Sequence, residues 1–99
     1  MYLRSFKNIV NVKELGKIKN DRFELGIYDC INNNGEKTLK LVEYDFVREL
    51  DEVLADTKDM IKDYLNDKIE EINNSEFDDI MSVVAEELKE QYMQLLKLI

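Results

Sequence analysis

Hydrophobic and polar residues alternate in the first half of this chain and recur every three or four positions in the second. Over residues 22–31, Phe23, Leu25 and Ile27 fall on one side and Glu24, Tyr28 and Cys30 on the other, the period-two signature of a strand. Residues 36–42 alternate Leu39 and Leu41 with Thr38 and Lys40. Between them Asn34-Gly35 is the favoured pair for a tight type I′ hairpin turn, which would set Tyr28 opposite Leu41 and Asp29 opposite Lys40. Upstream, residues 12–19 followed by Asn20-Asp21 predict a third strand, completing a small antiparallel meander of about three strands. The conformation of residues 1–11 is left open by this pattern, which suits a helical turn and a short strand alike.

From residue 44 the period changes. Val47, Leu50, Leu54, Ile61, Leu65, Ile69 and Ile72 recur at helical spacing, and Phe77, Ile80, Met81, Val84, Leu88, Tyr92, Leu95 and Ile99 do the same. Asn73-Asn74-Ser75 separates the two runs, and Ser75 with Asp78 resembles a capping box for the second helix. A short connection predicts a long antiparallel αα-hairpin. The expected fold is one α+β domain over residues 1–99, with a β-rich part at 1–42 and an acidic helical hairpin at 43–99.

A helix over residues 44–73 would be about 45 Å long, whereas a ten-residue strand reaches about 33 Å. The hairpin is therefore expected to overhang its sheet. The overhanging stripe of Ile61, Leu65, Ile69 and Ile72, facing Phe77, Met81 and Val84, would need a cover, and a second copy is the simplest one. The alternative is a break near residues 55–57 that folds the segment back on itself.

Charge sharpens the picture. The chain is 44% hydrophobic and 36% charged with a net charge of −8, a globular composition rather than a disordered one. Residues 1–42 hold eight basic and five acidic side chains, and residues 43–99 six basic and seventeen acidic. Phosphate binding needs clustered Lys and Arg, so nucleic acid and anionic membrane are poor direct partners. A basic protein surface is the natural complement.

The second half also contains a row of acids: Asp45, Glu49, Glu52, Asp56, Asp59, Asp63, Asp67 and Glu70, each three or four residues from the last. On a single helix they would lie within about 40° of one direction, opposite the apolar stripe. Like charges at that spacing cost about 0.2–0.5 kcal/mol per pair. Lys58, Lys62 and Lys68 lie off the row, and five of the eight acids are Asp, a poorer helix former than Glu. The mean spacing, about 5 Å, is comparable with that of successive phosphates on a nucleic-acid strand.

The usual catalytic parts are absent. With no histidine and a single cysteine, Cys30, the chain has neither the commonest general acid–base nor the makings of a zinc site or an intramolecular disulfide. Cys30 reads as a small buried apolar residue. The isolated glycines Gly16, Gly26 and Gly35 form no phosphate-binding loop. No signal peptide and no membrane-spanning run is visible. The sequence thus predicts a cytoplasmic protein of a bacterial cell or phage-infected host, without metal or cofactor and not an enzyme. Its expected role is to occupy the positively charged groove of a nucleic-acid-binding protein or nuclease, as phage anti-defence proteins (anti-CRISPR types among them), immunity proteins or antitoxins do. The alternative is a structural or chaperone-like homo-oligomeric adaptor working through its apolar helix stripe.

Overall fold

The computed structural model describes residues 9–75 and 79–99. Four strands, β1 (Ile9–Lys19), β2 (Phe23–Asn32), β3 (Lys37–Asp45) and β4 (Leu50–Ala55), form one antiparallel sheet in the order β1-β2-β3-β4. Two helices follow, α1 (Lys58–Asn74) and α2 (Asp79–Leu96). The architecture is α+β with a meander and a helical pair, as the periodicities predict, and with one strand more than expected.

The fourth strand is the main correction. Residues 44–57 are not helical. β3 runs three residues past Val42, and the chain turns at 46–49 and returns as β4. Asp45 sets the turn: its Oδ1 accepts from the backbone N–H groups of Val47 (2.9 Å) and Arg48 (3.1 Å), and its Oδ2 pairs with Arg48 Nε at 3.0 Å. Such local side-chain bonds offer the backbone an alternative to a helix. Glu49 then takes a left-handed conformation, φ 55°. The helix starts only after Thr57, whose extended backbone (φ −131°, ψ 157°) and Oγ1, accepting from Met60 N–H at 3.2 Å, form the N-cap. The β-rich part therefore extends to Ala55, and α1 has 17 residues, about 26 Å, rather than the full run from residue 44.

The β2–β3 register also differs from expectation by one position. Asn32 and Glu36 bracket the loop, Gly35 N–H donates to Asn32 O at 3.0 Å, and Gly35, at φ 78°, takes the left-handed position. Asn32 Oδ1 accepts from the N–H groups of Asn34 and Glu36. This is a three-residue loop closed by a glycine bulge, not a two-residue type I′ turn. The added residue sets Tyr28 opposite Lys40 and Asp29 opposite Leu39. At the β1–β2 turn, Asn20 Oδ1 accepts from Arg22 and Phe23 N–H groups.

One face of the sheet carries the core. Ile18, Leu25, Ile27, Leu41 and Ala55 from the strands meet Ile61 and Leu65 of α1 and Tyr92 and Leu95 of α2. α2 closes on β1 at Gly16, where a Cβ would overlap the Leu98 side chain and press on Leu95. On the opposite face the Tyr28 ring folds over Gly26. Cys30 is fully buried on its strand, its thiol pushed above the usual range by burial.

Candidate protein-docking face

The helical half of the acid row survives, and the fold explains its position. Thr57 starts α1 in a phase that turns Ile61 and Leu65, both fully buried, onto the sheet. Tyr64, Ile69 and Ile72 pack around them. At 100° per residue the direction opposite this stripe is occupied by Asp59, Asp63, Asp67 and Glu70, and all four are exposed. They span about 17 Å of helix, about 5.5 Å per step.

Among the described residues none pairs with these four acids; the one ion pair on α1 joins Lys68 to Glu71 at 3.4 Å. The Lys68 ammonium also stands 5.4 Å from the centre of the Tyr64 ring, which draws it to the sheet side of the helix. Asp59 favours the positive end of the helix dipole, but Glu70 lies towards the negative end, with no basic residue in the last turn. The face therefore costs helix stability. α2 adds exposed Glu86, Glu87 and Glu90.

The other four acids of the row are dispersed. Asp45 ends β3, half-buried, its carboxyl held below the usual range by the backbone N–H and side chain of Arg48. Glu49 lies in the turn, Glu52 on β4, and Asp56 is exposed just before the N-cap. Asp45, Glu52, Glu43, Arg48, Leu50 and Asp51 line a shallow depression of about 160 Å³ at this sheet edge.

The apolar residues assigned to self-association are also separated. Ile61 and Leu65 belong to the chain's own core and are not available to a second copy. Ile69 and Ile72 are half-buried against that core. Met81 and Val84 are exposed, together with Val83. Phe77 lies outside the described residues, as do Glu76 and Asp78, so the expected capping box falls there as well. Ser75 ends α1 instead: its N–H donates to Ile72 O and its Oγ to Glu71 O.

One residue that the acid row conceals is Glu43. It continues the alternation of Leu39 and Leu41 on the helix-facing side of β3, and burial pushes its carboxyl above the usual range, with Asp45 adding to the shift. Tyr64 and Tyr92 nearby are raised as well, chiefly by burial and next by the Glu43 charge. Its signal in the sequence is that alternation, carried two positions further.

Among the described residues no three acidic or thiol groups converge to hold a metal ion, and no helix is long and apolar enough to cross a membrane. No protein-family model, curated protein or solved structure matches this chain.

Proposed function

We propose that this protein is a non-catalytic acidic binding protein that docks the outer face of α1 on a basic surface of another protein, a nucleic-acid-binding groove, and blocks it. The observation that carries this reading is the row Asp59, Asp63, Asp67 and Glu70: four exposed carboxylates at near-phosphate spacing, in no ion pair among the described residues, on a helix they destabilise. A surface serving helix stability alone would interleave Lys with Glu. Glu86, Glu87 and Glu90 on α2 extend the negative field from the same helical layer. The dispersed acids Asp45, Glu49, Glu52 and Asp56 sit at the end of β3, in the turn, on β4 and in the loop before α1, and do not share the regular spacing of this face.

Such docking is electrostatic, so association should slow as salt shortens the Debye length from about 10 Å at 0.1 M to about 3 Å at 1 M. The test is capture of the partner from producing cells at both salts, followed by competition with nucleic acid for the captured protein. Loss of the complex at high salt and mutual exclusion with nucleic acid are expected. A complex indifferent to salt, or one that binds nucleic acid unhindered, contradicts the proposal.

A second reading, a homo-oligomeric adaptor, draws on the exposure of Met81, Val83 and Val84 on α2. It predicts a mass above that of the monomer at high concentration, and a monomeric mass there rejects it.

A further inference from the structure

Glu43 and Glu52 are direct cross-strand partners in the β3–β4 ladder. Phe46 N–H donates to Arg22 O, so alternate residues of β3, counted from Asp45 back through Glu43, turn their backbone groups towards β4. Directly opposed residues hold their Cβ atoms about 4.5–5.5 Å apart, and like charges there are destabilising. Both side chains lie on the helix-facing side of the sheet. Glu43 has fully buried Leu25 as its partner on β2 and fully buried Leu41 two positions back. No described ion pair involves either carboxylate.

The groups acting on Glu43 come from several elements. Asp45 and Arg48 stand at the turn, Glu52 on β4, and Lys68 and Tyr64 on α1. Tyr92 of α2 also feels the Glu43 charge, and Glu71 stands near both tyrosines. Lys68 is the cation that α1 brings to this set, and it pairs with Glu71 at 3.4 Å.

We propose that Glu43 and Glu52 form a proton-sensitive joint at the sheet edge: ionised together they push β4 away from β3 and α1, and a proton taken up by Glu43 tightens that edge. Burial and the facing carboxylates favour the protonated form in the folded chain more than in the unfolded one. The folded chain then binds more protons between the two midpoints, and stability rises as pH falls through that window. This is opposite to the ordinary paired carboxylate, such as Asp45, whose depressed midpoint gives stability that is lost on acidification.

The test compares melting temperatures of the unaltered chain, Glu43→Gln and Glu52→Gln at about pH 7.5 and about pH 5. Both variants should melt higher than the unaltered chain at the higher pH, and Glu43→Gln should gain less on acidification. General relief of the net charge acts on all three alike, so the difference isolates the pair. NMR titration of the Glu43 carboxyl should show a midpoint above the ordinary glutamate range that moves down in Glu52→Gln. An equal acid response in the unaltered chain and Glu43→Gln, a lower melting point of Glu43→Gln at the higher pH, or a Glu43 midpoint unmoved by Glu52→Gln would overturn the proposal.

Discussion

The two halves of the acid row have the same spacing and opposite structures. Asp45, Glu49, Glu52 and Asp56 occupy a strand end, a turn, a strand and a loop, whereas Asp59, Asp63, Asp67 and Glu70 lie along one helix. Intervals of three and four thus do not by themselves make a helix. What separates the halves is local chemistry. Asp45 bonds the backbone just ahead of it, Glu49 adopts φ 55°, and Thr57 caps the segment that follows. The apolar residues differ as well: Val53, Leu54 and Ala55 fit a strand against β3, whereas Ile61 and Leu65 are one helical turn apart and fully buried.

The largest effect expected from this division is at Leu65. Leu65→Asp places a charge in the core rather than at an interface between copies, so it should unfold the monomer; Leu65→Ala should cost about 2–5 kcal/mol in a denaturant titration. If Leu65→Asp instead leaves a folded monomer, the core assignment fails. Proline then separates the halves directly. Lys58→Pro sits at the first helical position, after a Thr57 already in the extended conformation that proline requires of its neighbour. It should be neutral or stabilise by up to about 1 kcal/mol. In a helix continuous from residue 44 the same change would cost about 3 kcal/mol or more, so its melting temperature decides between the two.

Smaller effects test the two boundary devices. Thr57→Ala removes the N-cap acceptor and should cost about 1 kcal/mol. Glu49→Gly relieves the left-handed residue and should stabilise by up to about 1 kcal/mol, offset in part by the entropy glycine adds to the unfolded chain. A destabilised Glu49→Gly would mean that the turn does not need its positive φ.

Much of this was legible in the sequence. Alternation over residues 22–31 and 36–42 predicts β2 and β3, and helical spacing from Val47 and from Phe77 predicts two helices, which in the structure span Lys58–Asn74 and Asp79–Leu96. Two things were hidden. β4 is a strand of 6 residues whose acids happened to continue the helical count, and Asp45, Glu49 and Thr57 act through backbone bonds and dihedrals that a hydrophobic period does not register. The hairpin register escaped for a similar reason, because Asn34-Gly35 fits both a two-residue turn and the glycine-bulged loop that forms, and the two differ by one residue. Of the eight acids in the row, Asp59, Asp63, Asp67 and Glu70 share one face of α1, as their spacing predicts, whereas Asp45, Glu49, Glu52 and Asp56 follow a period that the chain does not fold by.

The outer face of α1 carries the proposed docking, and a single triple variant tests it. Asp63, Asp67 and Glu70 are changed together to Lys, leaving Asp59 at the favourable end of the helix dipole. Melting temperature and capture of the partner from producing cells are measured on the same preparation. The fold should be retained, with each site changing stability by no more than about 0.5 kcal/mol, while the partner is lost, since like charges across an interface cost several kcal/mol. Undiminished capture by a folded triple variant would contradict the central claim and leave the acidic face of α1 as solvated surface.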